Sequence, residues 1–316
     1  MKKLYLVFKP GALLPFLKNL FPGLMKKSIL LSLGILFSLN FIYAQDDDLL
    51  SLLGEEETTD YAIASFKTNR VINLHSLENT AKGVFDFKIS HRFNTIDQGF
   101  YDLFGLDGAT IRLGGDFGIT ETLQVGIGRS TINKTFDGYA KYKFLRQSTG
   151  KKNMPITAAL FAGAAVNTLK NTDPAREVPF WDRFDYTFQL IVGRKFSEGF
   201  SLQLSPTLVH RNLVPTRNDV NDVLACGIAA RQKLSKRVAI NIEYIYVLPD
   251  QLDPEFRNSL SVGFDIETGG HVFQLHFTNS RGMFESNYIT QTNEDWFSET
   301  AGIHFGFNLS RVFTIY

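Results

Sequence analysis

From Gly83 to the end of the chain, apolar and polar residues alternate one by one, and this period of two constrains the fold more than any other feature. The clearest stretch puts Phe85, Phe87, Ile89, His91 and Phe93 on one face and Asp86, Lys88, Ser90 and Arg92 on the other. The pattern returns at Ile111–Ile119, Leu123–Ile127, Phe136–Phe144, Phe184–Lys195, Val238–Tyr246 and Leu260–Glu267. Further candidates at 155–167, 200–210, 222–234, 271–279 and 301–314 bring the total to twelve strands.

Length chooses between two architectures. Strands of a soluble sandwich run ~5–6 residues, whereas a membrane barrel needs ~9–11 to cross the bilayer. These run about nine to fourteen, on the membrane side of that comparison. The apolar face then meets lipid and the polar face looks into a lumen. The expected fold is all-β, an antiparallel transmembrane β-barrel of about 12 strands over residues 83–316, preceded by a short periplasmic or plug segment at 45–82.

The connections agree with a barrel. Tight turns at Thr120–Thr122, Ser197–Gly199, Ser235–Arg237 and Thr268–Gly270 alternate with longer links at 94–109, 167–182, 211–221, 249–257 and 280–300. Periplasmic turns and external loops differ in this way. Two links depart from it: 130–134 is short for an external loop and 146–154 is long for a periplasmic turn. With the strand at 83 running outward, Phe136, Phe184, Tyr186, Tyr244 and Tyr246 fall at the external rim, and Tyr142, Phe144 and Phe196 at the periplasmic one. They match the two aromatic girdles of such barrels.

Other function classes are bounded by composition. After residue 45 no apolar run reaches the ~18 residues of a membrane-spanning helix. Basic and acidic residues nearly cancel, 33 against 32, so there is no surplus to meet a nucleic-acid backbone. Cys226 is the single cysteine, and no Cys/His spacing suggests zinc. No cofactor and no metal are expected.

The first 44 residues read as a secretory signal. Lys26-Lys27 precede an apolar stretch from Ile29 to about Phe41, and cleavage is expected after Ala44, with Met25 as the true start. Beyond it, Asp46–Asp60 is acidic with Leu49, Leu50, Leu52 and Leu53 close together, a short amphipathic helix or a linker. Tyr61–Asn73 is read as an extra strand or a plug entering the lumen, where Arg70 would meet inward carboxylates.

The inward phase carries the candidate site. Lys88, Arg92, Arg112, Lys141, Lys143, Lys195, Arg231 and Lys233 stand against Asp86, Asp116, Asp137, Asp185, Glu243, Asp265 and Glu267. Such a set either lines a polar pore or fills a narrow barrel with ion pairs, since an unpaired buried charge is costly. The near balance of signs argues against a strongly ion-selective channel. Gly114, Gly118, Gly126 and Gly128 on the same face either make room for a solute or an inserted segment, or let the closing sheet bend.

His91 and His210 lie on the lipid-facing phase at the outer ends of their strands. A lipid hydrolase would need a serine beside one of them. Ser90 faces the opposite way from His91, and no serine shares phase and height with His210 in its strand, so no catalytic residue is assigned and no enzyme is expected. The loops hold Phe100, Tyr101, Phe104, Phe180, Trp181 and Trp296, which either grip a ligand or pack the loops together.

The stretch Gly306–Tyr316 looks like the aromatic-ended last strand by which outer-membrane barrels are recognised for assembly, with Arg311 interrupting its apolar face. The phrases Phe66–Asn73, Ile89–Phe93, Asp137–Tyr139, Ser205–His210 and Phe273–His276 resemble a functionally uncharacterised family of outer-membrane β-barrels of Bacteroidota, over most of the chain from about residue 60. The resemblance implies the fold and the outer membrane of a Gram-negative bacterium, and it supplies no catalytic residue. The leading expectation is a passive channel or narrow transporter for small solutes. A plugged structural or surface-binding barrel is the alternative, and an outer-membrane lipid hydrolase comes third. The expected partners are outer-membrane lipid, the assembly machinery and a small solute.

Overall fold

A computed structural model describes residues 58–171, 177–214, 216, 219–269, 271–299 and 301–316. The signal at 1–44 and the leucine-rich acidic stretch up to residue 57 lie outside the described residues.

Twelve strands close into one antiparallel barrel, each strand beside its neighbour in sequence. In chain order they are β2 (Val84–Thr95), β3 (Ala109–Gly118), β4 (Leu123–Ser130), β5 (Phe136–Leu145), β7 (Thr157–Val166) and β8 (Phe184–Lys195). The second half is β9 (Phe200–Arg211), β10 (Asp222–Lys233), β11 (Val238–Val247), β12 (Ser259–Thr268), β13 (His271–Thr278) and β14 (His304–Thr314). The barrel closes between β14 and β2, where Leu309 pairs with Ile89. Closure leaves no unpaired sheet edge, the condition for a β-structure to lie in lipid.

The alternation decides which way each strand faces. Along β2, Asp86, Lys88, Ser90 and Arg92 are buried, while Phe87 on the other face is exposed. The same inversion of a soluble protein runs round the barrel, with Leu113, Ile127, Leu160, Phe188, Leu204, Leu224, Ile242 and Phe264 all exposed. Such an outer wall is stable only against an apolar medium.

The short turns share one end with the chain terminus, and the longer loops share the other. At the turn end, the long link after β5 has a structural reason. It forms β6 (Ser148–Gly150), which pairs with β1 (Thr59–Tyr61) in a separate two-stranded sheet, and the Arg146 guanidinium lies over the Tyr61 ring at 4.4 Å. At the loop end, the short link between β4 and β5 is a single 3-10 turn at Ile132–Lys134.

Candidate functional site: an occupied lumen

Residues 66–80 form a tight hairpin inside the barrel. Its backbone folds back through Val71 N–H to the Leu74 carbonyl (2.8 Å) and Ser76 N–H to the Asn69 carbonyl (3.0 Å). The hairpin touches strands all round the circumference, which only a segment within the lumen can do. It enters from the turn end: there the Lys67 ammonium meets Glu267 at 2.7 Å, and Asn79 donates to the Thr122 carbonyl at 2.9 Å.

The hairpin tip is held by Glu243 of β11. Its carboxylate accepts N–H bonds from three consecutive residues, Ile72 at 3.2 Å, Asn73 at 2.9 Å and Leu74 at 3.1 Å. A turn exposes successive amides to one side, and a carboxylate there satisfies donors that would otherwise be buried unpaired. Around it, Arg92 donates to the Asn73 side-chain oxygen (2.9 Å), Gln274 to the Val71 carbonyl (2.8 Å) and Asn308 to the Ile72 carbonyl (3.1 Å).

Further round the wall, Asn69 donates to Asp116 at 2.9 Å. Asp116 also takes the Lys88 ammonium (2.8 Å) and the Tyr139 hydroxyl (2.5 Å), so one buried carboxylate joins three strands to the hairpin. The Lys141 ammonium donates to the carbonyls of Ser76 (3.1 Å) and Glu78 (2.5 Å), and Gln203 donates to that of His75 (2.8 Å).

A second insertion comes from the loop end. Residues 280–300 read as an external loop from sequence, yet their first half turns into the barrel and forms α1 (Glu285–Thr290), every residue of which is buried. Met283, Phe284, Tyr288 and Ile289 explain this, being apolar side chains in a loop that gain by leaving water. Glu285 meets the hairpin, its carboxylate lying 2.9 Å from Arg70 Nη1 and 3.2 Å from His75 Nε2. The carboxylate partner of Arg70 is thus on an inserted loop and not on the barrel wall.

Apolar side chains complete the filling. Phe66, Val71, Leu74 and Leu77 of the hairpin and Tyr288 and Ile289 of α1 form one cluster with Phe161, Ile191, Val209, Ala229 and Ile245 of the wall. Glycines make the space. Leu74 lies where a Cβ on Gly227 would be, and Leu77 where one on Gly193 would be, each 2.8 Å away. A side chain at Gly118 would meet the Thr80 and Ala81 carbonyls, whereas Gly114, Gly126 and Gly128 accommodate Arg112 and Tyr139.

The fifteen charged residues expected on the inward face are placed as follows. Asp86, Lys88, Arg92, Arg112, Asp116, Asp137, Lys141, Arg231, Glu243 and Asp265 are buried. Arg112 pairs with Asp137, and Lys88 bridges Asp86 (3.2 Å) and Asp116. Lys143, Asp185, Lys195 and Glu267 are half-buried, and Lys233 is exposed at the turn end of β10, beyond the enclosed space. Lys195 donates to the Ile63 carbonyl (3.0 Å) and to Glu198 (2.8 Å) in that same mouth. A search for charges alone overlooks Gln124, Gln203, Gln274, Asn308 and Ser261, although they share the inward phase. His75 and Glu285 carry no phase signal, because neither stands on a barrel strand.

Among the described residues no group of His, Cys, Asp and Glu is arranged to hold a metal ion. His210 Nδ1 lies 2.7 Å from Asp222 Oδ1, and the Tyr186 ring stacks on it. His91 stacks on Phe307.

Fold and site together define a membrane-bound β-barrel whose lumen is filled by its own chain. The chain belongs to the family described as a membrane bound beta barrel domain (DUF5777), whose model matches residues 66–313, from the hairpin to the last strand. No curated protein matches the chain. Among solved structures, the NanC porin is similar at 7% identity over 72% of this chain and 98% of that one, with a TM-score of 0.44. The KdgM porin matches at 9%, over 73% and 99%, with a TM-score of 0.44. An outer membrane channel from Pseudomonas putida F1 matches at 12%, over 75% and 98%, with a TM-score of 0.43. At these scores the assignment rests on the family and on the chain's own barrel.

Proposed function

We propose that this protein is a barrel of the outer membrane of a Gram-negative bacterium, with the turn end in the periplasm, and that it passes small solutes when the 66–80 hairpin leaves the lumen. The observation that carries this is the character of the hairpin's grip on the Glu243 side. Hydrogen bonds and ion pairs hold it there, and water can replace each of them at little net cost. The wall left behind would be polar along the Glu243 side, facing the apolar Phe161, Ile191, Val209 and Ala229 across the lumen. Gln189, both of whose buried amide atoms lack a protein hydrogen-bond partner, adds to that lining.

A second reading is a permanently plugged structural or surface-binding barrel, and the apolar cluster favours it, since withdrawing the hairpin would expose Phe66, Leu74 and Leu77. Planar-bilayer recording decides between the two. The intact mature chain is expected to conduct little, and a variant lacking residues 66–80 that keeps its heat-modifiable gel mobility is expected to conduct steadily. A folded deletion variant as silent as the parent would sink the passage reading. A lipid hydrolase, the third reading, has only the His210–Asp222 pair to build on, with the Tyr186 ring stacked against the imidazole.

A further inference from the structure

Two segments of this chain enter the lumen from opposite ends, the 66–80 hairpin from the turn end and α1 from the loop end. They meet inside the barrel at the Glu285 carboxylate. Arg70 Nη1 lies 2.9 Å from it, with side chains 6% and 8% exposed, and His75 Nε2 lies 3.2 Å from the same oxygen.

The countercharge of each segment stands on the other. Among the described residues no cation of the wall lies within ion-pair distance of Glu285, and Arg70 Nη2 has no protein hydrogen-bond partner. The other buried carboxylates that touch the hairpin are engaged, Asp116 by the Lys88 ammonium and Glu243 by the tip amides.

Packing joins the two segments as well, since Tyr288 and Ile289 of α1 share a cluster with Phe66, Val71, Leu74 and Leu77 of the hairpin. The Thr290 and Thr292 hydroxyls turn back to the Ser286 and Tyr288 carbonyls, at 2.7 and 3.0 Å, and do not grip the wall. Both flanks of α1 are tied to the rim. Before it, the Asn279 side-chain amide donates to the Asn258 carbonyl at 3.0 Å. After it, Arg257 N–H donates to the Thr292 carbonyl at 2.7 Å, and Trp296 Nε1 to that of Leu260 at 2.7 Å. α1 is therefore an arm between two anchors at the loop end.

We infer that the hairpin and α1 form an interlock across the membrane, in which the place of the one at the periplasmic side sets the place of the other at the cell surface. Withdrawal of either segment strands a buried charge on the segment that stays, and such a charge is strongly destabilising until it too reaches water. When the hairpin leaves, Glu285 draws α1 out of the lumen, so passage needs one motion and not two. Linkage makes the influence reciprocal: displacing the 280–300 loop from outside removes the partner of Arg70 and loosens the hairpin. The interlock rests on the passage reading for its use and not for its test.

Hydrogen exchange of the intact mature chain tests it, read at the α1 amides of Asn287, Tyr288 and Gln291 and at the hairpin amides of Val71 and Ser76, all of which are bonded within their own segments. Arg70→Met is expected to speed exchange in α1 about a hundredfold, and Glu285→Gln to speed it as much in the hairpin, because each leaves a buried charge alone. The double variant removes both charges and is expected to exchange more slowly in both segments than either single variant. Heat-modifiable mobility confirms that each barrel is folded. Single variants that loosen their own segment alone, or a double variant whose loosening is the sum of the two, would overturn the interlock and leave two independent plugs. So would parent-like protection of α1 in a folded barrel lacking residues 66–80. A barrel with that deletion that loosens α1 and still conducts nothing would sink passage and keep the interlock.

Discussion

The lumen wall holds one hairpin in two ways. Strands β11–β14 and β2–β5 reach it with Glu243, Gln274, Asn308, Arg92, Asp116 and Lys141, each through hydrogen bonds of defined direction. Strands β7–β10 offer mostly Phe161, Ile191, Val209 and Ala229, with Gly193 and Gly227 receiving Leu77 and Leu74. Gln203 is the polar exception on that side. Apolar burial is non-directional and scales with area, so the second half supplies binding strength. Hydrogen bonds contribute less net energy but are costly to leave unmade, so the first half sets the position of the tip.

The contrast breaks first at its apolar half. Leu74→Ala is expected to cost the inserted hairpin ~2–5 kcal/mol, because the space beside Gly227 cannot collapse against a rigid barrel. Hydrogen exchange of amides 71–76 measures it, and protection equal to the parent's would mean that burial does not hold the hairpin.

On the polar half, Glu243→Ala leaves the Ile72, Asn73 and Leu74 amides without their acceptor and is expected to cost about 3 kcal/mol. Loss confined to amides 72–74, with Ser76 still protected, would sharpen the view that Glu243 positions the tip. A general loss throughout 66–80 would erase the distinction between the halves.

The smallest effect is expected outside both. Lys233→Ala removes an inward-phase charge that lies beyond the enclosed space, and it should change thermal unfolding by less than ~0.5 kcal/mol. A larger effect would extend the hairpin's mouth further than Lys195 and Glu267.

Much of the barrel was legible because a strand between lipid and lumen must alternate. Phe85 to Phe93, Phe184 to Lys195 and Val238 to Tyr246 all became strands within a residue or two of where their alternation runs. The turn at 146–154 looked too long because its partner, Thr59–Tyr61, is distant in sequence and too short to carry a pattern. The hairpin was legible as a segment outside the alternating set, read over Tyr61–Asn73 as either an extra strand or a plug entering the lumen. Its residues Val71, Ile72, Asn73 and Leu74 follow no period of two or 3.6, since a turn tip is shaped by whatever surrounds it. Glu285 was hidden further, in a stretch read as a long external link in which Trp296 alone was singled out.

What the sequence by itself determined is the wall: twelve strands, which face of each meets lipid, and the balanced charge turned inward. Period-two patterning is a local property, written residue by residue, and it needs no partner to be read. Only the tertiary structure decided what fills the lumen. Ile72 and Glu243 are 171 positions apart and Arg70 and Glu285 are 215, so neither pair exists until closure brings the strands round the hairpin. Glu243 and Glu285 could not stay buried and unpaired, and closure, not the local pattern, brought the hairpin's amides to the one and Arg70 to the other.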